Sequence, residues 1–279
     1  QIIDSNPAAL QKQVTRGSGR ANWALALLFL TVAINVLDRQ IINILAESIK
    51  TDLDISDAQL GLLTGTAFGI LYSALGIPLG RLADKMDRVR LIGIALVVWS
   101  VFTSCSGFAR NFVQLGLARI GVGVGEAGCV PAAVALVSDM FPENRSTSAI
   151  SLMMLGVPAG AFTGLLFGGI VGGEFGWRMA LILAGLPGLL LAIILVTTVR
   201  DPRSRKRTAE SLREGPEGEK EPSFSEAFAR LVRRPGYVIL VIGLTCSILL
   251  AAVTGAWLPV FFIRVHGMSV AEMGGYAAI

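Results

Sequence analysis

Long apolar runs separated by short polar breaks dominate this chain. Seven runs, at about 21–46, 57–79, 89–108, 111–139, 146–172, 177–199 and 236–264, reach the roughly 20 residues that a helix needs to cross a hydrocarbon core. An eighth opens near Ser269. None alternates with the period-two pattern of a barrel strand, so each is expected to be a membrane-spanning helix. The expected fold is therefore an all-α polytopic membrane protein.

Composition points the same way. Of 279 residues, 53% are hydrophobic and 16% charged, against about 25% charged in an ordinary soluble domain. So few charges cannot screen so much apolar surface from water. A soluble enzyme, a nucleic-acid-binding module and a disordered chain are all excluded on this ground. The basic pI of about 9.2 reflects Lys and Arg gathered in the breaks, where they read as membrane topology. The three cysteines (Cys105, Cys129 and Cys246) lie in separate apolar runs, so they offer no disulfide framework or CxxC metal site. The lone histidine, His266, builds no metal cluster. Neither a metal nor an organic cofactor is expected.

Eighteen of the 24 Lys and Arg fall on one side of the expected bundle. They lie in residues 1–20, the 80–90 loop, Arg145 and the 200–235 segment. Lys50, Arg110, Arg178 and Arg264 fall on the other side, and Arg39 and Arg119 lie inside spans. The bias places the N-terminus and the 200–235 segment in the cytoplasm of a multi-pass inner or plasma membrane. Residues 1–20 are polar and carry no signal-peptide pattern. Residues 21–199 form a six-helix domain. Residues 200–235 form a cytoplasmic linker, in which Ser223-Phe-Ser-Glu226 reads as a capping box opening a short interfacial amphipathic helix. Residues 236–279 begin a second bundle.

A short repeat supports duplication. Ile55-Ser-Asp-Ala-Gln-Leu-Gly61 opens the second span and Met268-Ser-Val-Ala-Glu-Met-Gly274 opens the eighth. The chain is accordingly expected to be part of a longer protein with two six-helix halves.

The loop between the second and third spans reads Gly80-Arg-Leu-Ala-Asp84-Lys85-Met-Asp87-Arg88-Val-Arg90. It resembles the signature loop of the major facilitator superfamily, with Asp87 standing where that family usually has Gly. The resemblance implies a cytoplasmic latch built from Gly80, Asp84, Arg88 and Arg90, with Asp84 on a helix end and Arg88 or Arg90 on a carboxylate across the gap between halves. Two further stretches carry the resemblance: Asn35-Val-Leu-Asp38-Arg39, and Arg119-Ile-Gly-Val-Gly-Val-Gly-Glu126 with Pro131, Asp139, Phe141-Pro142 and Arg145 after it. Together they are similar to the spinster-like branch, whose members carry lysophospholipids and sphingoid lipids. Related organic-anion porters share the Asp-Arg and Glu-Ala pairs.

Charges inside spans are costly and mark function by default. Asp38 lies eight residues short of the outer end of the first span, and Arg119 eight residues into the fourth. Both therefore sit about 12 Å below the outer surface, at matched depth for an ion pair. Glu126 follows Arg119 by two turns on nearly the same face, with Arg119 as its one evident cation. Arg39 projects about 100° away from Asp38 and is not expected to share the cavity. Asp38 and Glu126 are the candidate proton sites. Arg119, with Glu126, Asp38, Asn35 and Asn43, is the candidate substrate site, and Arg119 is suited to an anionic head group. The spans carry few other polar groups, which favours an amphiphile over a sugar.

Gly123-x-Gly125-x-x-Gly128 matches a dinucleotide fingerprint in form only, because no strand precedes it. Glycines at 156, 160, 164, 168 and 172 recur every four residues and predict close helix packing, with Pro158 as a source of a kink. The expected function is proton-driven transport of a lysophospholipid or sphingoid-type lipid by alternating access. A porter of small organic anions is the nearest alternative, and a membrane scaffold the alternative of another class. No catalytic residues are expected, and neither is nucleic acid as a partner.

Overall fold

The computed structural model describes residues 7–66, 86–203, 228 and 230–277, with side chains from Gly19 onward. Regular structure among these residues is helical. Helix α1 (Pro7–Ile44) turns at Leu45 into α2 (Ala46–Leu53), which ends on Asp54 in the left-handed region (φ 49°). Helix α3 (Asp57–Gly61) continues as a π turn over Leu62–Thr66. Then come α4 (Arg88–Ser106), α5 (Phe112–Glu126), α6 (Cys129–Met140), α7 (Glu143–Met154), α8 (Gly156–Thr198), α9 (Pro235–His266) and α10 (Val270–Ala277).

Five helical stretches among the described residues are long and apolar enough to cross a membrane: Gly19–Ile44, Arg88–Ser106, Phe112–Met140, Glu143–Thr198 and Pro235–His266. The fourth of these is two spans. At Gly176 the backbone leaves the helix (φ 81°, ψ 163°), a conformation open to glycine alone among common residues. The described residues thus account for six of the seven runs, and the second is described only as far as Thr66.

Prolines explain two breaks inside spans. Pro131 has no N–H to donate to the Ala127 carbonyl, and the fourth span breaks into α5 and α6 at Ala127–Gly128. Pro158 likewise cannot donate to Met154, where α7 ends. The regular helix is thus interrupted about one turn before the proline, at Leu155.

The repeat in the sequence is a repeated local structure. Ser56 accepts from Gln59 N at 3.2 Å while Gln59 Oε1 accepts from Ser56 N at 2.9 Å. Ser269 accepts from Glu272 N at 3.2 Å while Glu272 Oε2 accepts from Ser269 N at 2.9 Å. Both are reciprocal capping boxes, each satisfying two backbone donors at a helix start.

The glycine series packs α8 directly onto α1. A Cβ on Gly156 would stand 2.5 Å from the Phe29 carbonyl oxygen, and one on Gly164 2.9 Å from Leu37 Cα. Gly160 likewise meets the Ala33 backbone, whereas Gly168 and Gly172 receive the side chains of Ile44 and Leu45. The two backbones touch where side chains would hold them apart.

The interior has two apolar clusters. One gathers Leu28, Val32, Leu96, Trp99, Val122, Leu136, Met153 and Leu195. The other gathers Ile41, Ile44, Leu45, Ile49, Leu115, Leu181 and Met273. In spans one and four the chain passes from one cluster to the other through Asp38 and Arg119. Large apolar side chains on the outside, such as Ile94, Val113, Leu190, Ile193 and most of α9, suit contact with lipid and not with water.

The Ser223–Glu226 opening of the expected amphipathic helix lies outside the described residues, as do Gly80 and Asp84 of the expected latch, whereas Phe228 and residues 230–232 are helical with Phe228, Leu231 and Val232 exposed.

Candidate functional site

Four charged side chains from two spans meet between the apolar clusters. Asp38 and Glu126 are fully buried and Arg119 is 4% exposed. Asp38 and Arg39 project from α1, Arg119 and Glu126 from α5. The Thr103 hydroxyl of α4 donates to Asp38 Oδ2 at 2.8 Å. Arg119 is electrostatically coupled to both Glu126 and Asp38. The matched depth inferred from residue counts thus brings Asp38 and Arg119 into one cluster.

The arrangement within the cluster differs from expectation at Arg39. Its guanidinium pairs with Glu126, both Nε and Nη2 lying 2.8 Å from Oε2. A step of 100° between neighbours sets where side chains leave the helix, but a long Arg stem can bend back toward a carboxylate. Glu126 therefore has Arg39 as its ion-pair partner, in addition to the field of Arg119. Sequence reasoning also missed Thr103, since nothing distinguishes it from the other small hydroxyls of the spans.

Several buried atoms here are left unsatisfied. Asp38 Oδ1, Glu126 Oε1 and Asn35 Nδ2 have no hydrogen-bond partner among the described residues. Each such group costs about 1–3 kcal/mol unless a water, a proton or a ligand meets it. Asn35 lies one turn from Asp38 on α1 and is buried. Asn43 is farther along α1, where its Nδ2 donates to Gln40 Oε1 at 3.3 Å.

The opposite ends of the bundle carry separate ionic groups. At one end Arg88, 3% exposed, places Nη1 2.6 Å from Asp139 Oδ2, and its backbone N–H donates to Asp201 Oδ2 at 2.8 Å. Arg203 shares the same Asp139 oxygen at 2.9 Å. Arg88 thus joins the third span to the end of the fourth, inside the six-helix unit. The expected carboxylate across the gap between halves is not its described partner. Asp87 has ordinary extended geometry (φ −65°, ψ 118°) and accepts from Arg90 N at 3.0 Å, capping α4. A glycine is not required there, which accounts for the departure from the family pattern. At the other end Arg178 pairs with Asp52, and Arg264 pairs with Glu47 and Asp57. The two sets of basic residues inferred from topology therefore lie at opposite ends.

The comparisons agree with this architecture. A solved bacterial homolog of the human lysosomal transporter spinster, in an inward-facing and unoccupied conformation, superposes with a TM-score of 0.79 at 32% identity, over 93% of this chain and 59% of that one. A probable L-galactonate transporter of Escherichia coli is 30% identical over 196 residues, 67% of this chain and 41% of the relative. A probable sphingolipid transporter, spinster homolog 1 of Arabidopsis thaliana, is 30% identical over 162 residues, 58% of this chain and 32% of the relative. The chain spans three-fifths or less of the length of each of these proteins. Residues 28–279 match the Major Facilitator Superfamily over nearly the whole chain. With its apolar helices, its paired capping boxes and its likeness to spinster, the chain belongs to the major facilitator superfamily of membrane transporters.

Proposed function

We propose that this chain belongs to a proton-coupled carrier that moves an amphiphile, a lysophospholipid or sphingoid-type lipid, by alternating access. The observation that carries this reading is the cluster of buried Asp38, Arg119 and Glu126, joined by the partly exposed Arg39, between two apolar layers. A charged side chain at the bilayer centre costs at least about 2.5–3.5 kcal/mol, so a group of four supports a functional role over a purely structural one. Arg119 holds the anionic head group, with Asn35 contributing from α1 one turn from Asp38 and apolar walls around the tail. Asp38 and Glu126 are the proton sites. Protonation of either removes a negative charge from the field of Arg119 and changes its grip on an anion.

Residues 21–199 act as one rigid half, residues 200–235 as its cytoplasmic linker, and residues 236–279 as the start of the other half, with the N-terminus cytoplasmic. The Arabidopsis relative, named for sphingolipid, supports the lipid. The Escherichia coli relative, named for L-galactonate, supports a small organic anion on the same cationic site.

The test uses the full-length protein in proteoliposomes. Uptake of a labelled lysophospholipid is followed with and without a pH gradient, in wild type, Arg119→Ala and Asp38→Asn. Gradient-stimulated flux in wild type, lost in both variants, is the expected result. Wild-type flux in both variants reduces the cluster to a structural role. Flux of galactonate and not of lysolipid selects the organic-anion reading. Absence of both, with a retained binding partner, selects a scaffold.

A further inference from the structure

Arg264 ties together parts of the chain that lie more than 200 residues apart. It stands in the last turn of α9, and its Nη2 lies 2.8 Å from Glu47 Oε2 on α2 and 2.7 Å from Asp57 Oδ1 at the start of α3. Its Nε also donates to Glu47 Oε2 at 2.8 Å. Lys50 Nζ holds the same Asp57 oxygen at 2.8 Å. One guanidinium thus bridges two carboxylates carried by two separate helices.

We infer that Arg264, with Glu47 and Asp57, forms a latch that holds the outer face closed, opposite the face bearing Arg88. The inference rests on the alternating-access reading and adds the group that controls the outer opening. Three features distinguish it from an ordinary surface ion pair, which contributes little.

The planar fork of an arginine fixes both partners at once. Removing it leaves Glu47 without this cation and Asp57 with Lys50 alone, so the tie from α9 to α2 and α3 is lost at both ends at once. A second contact lies beside it. The α10 helix follows Arg264 after a short turn and packs on α8, where a Cβ on Gly169 would stand 2.8 Å from Gly274 Cα. That close approach sets the seam, and the ion cluster stands at its solvent end. The partners are exposed by roughly a fifth to a half. Water can therefore take over each charge when the seam parts, which a latch that opens in every cycle requires.

The experiment measures access from outside. A reporter cysteine replaces Asn35 in the full-length protein, in a background without the native cysteines, and a membrane-impermeant maleimide is added to the outer face. Arg264→Ala is expected to speed labelling about fivefold, and Glu47→Gln combined with Asp57→Asn to do the same. Arg264→Lys, which keeps the charge and loses the fork, is expected to label at a rate between the reporter background and Arg264→Ala. The isosteric carboxylate pair keeps the test decisive where Arg264→Ala fails to fold. Unchanged labelling in both the Arg264→Ala and the carboxylate variants overturns the latch, whatever the substrate. Faster labelling without any lysolipid flux in wild type upholds the latch and sinks the proposed substrate.

Discussion

Arg39 and Glu126, 87 residues apart, form an ion pair in which Glu126 is wholly buried and the Arg39 side chain is 36% exposed. The asymmetry has an energetic consequence. Removing the cation strands a buried carboxylate, and removing the carboxylate frees a cation that can still reach solvent. Arg39→Gln is expected to destabilise by about 1–3 kcal/mol. Glu126→Gln is expected to cost less, and the double substitution to recover part of the Arg39→Gln loss. Thermal unfolding of the purified variants in detergent reads all three. Equal losses for the two single variants would contradict this account.

Thr103 gives Asp38 its described hydrogen bond. Thr103→Val keeps the shape and removes the donor, leaving a second oxygen of a buried carboxylate unsatisfied, at a cost of about 1–3 kcal/mol. Thr103→Ser keeps the hydroxyl and is expected to stay within about 1 kcal/mol of wild type. A melting comparison decides, and a Val variant as stable as Ser would show that the bond contributes nothing.

Asp87 caps the third span where the family pattern has glycine. Asp87→Ala is expected to lower stability by about 0.5–2 kcal/mol. Asp87→Gly is expected to lower it by only a few tenths, since glycine is tolerated at a cap. The reverse order in a denaturation series would show that the turn and not the cap matters.

Gly160 sits where α8 touches the backbone of Ala33. Gly160→Ala has to push the first and fifth spans apart and is expected to cost about 1–3 kcal/mol. Gly19→Ala, with open space around it, is expected to change stability by no more than about 1 kcal/mol. Folded yield and melting temperature together test the contrast.

Much of this architecture could be read from the sequence because a membrane imposes simple rules. Run length marks the spans, Pro158 marks the break before it, and glycine spacing marks a close helix seam, which proves to be with α1. Counting residues inward from the outer ends placed Asp38 and Arg119 at one depth, and they occupy one cluster. The missed features depend on side-chain reach and on neighbours distant in sequence. The path of the Arg39 stem back to Glu126 follows from torsions that no helical-wheel angle contains. Thr103 looks like Ser100 or Thr31 until α4 is set against α1. Asp87 is different: an Asp before an apolar run is a recognised cap signal, and that signal was present in the sequence.

Helix α8 meets neighbours on two flanks in two ways. Its four-residue glycine stripe lies along α1 for about five turns, while Gly169 meets Gly274 of α10. Along the α1 flank, Gly156, Gly160 and Gly164 meet backbone, while Gly168 and Gly172 receive the Ile44 and Leu45 side chains. The fifth span is therefore keyed to the first like a toothed rail: a slip of one residue would set a Cβ where each notch now receives its neighbour, so the register of the two spans is fixed along the whole seam.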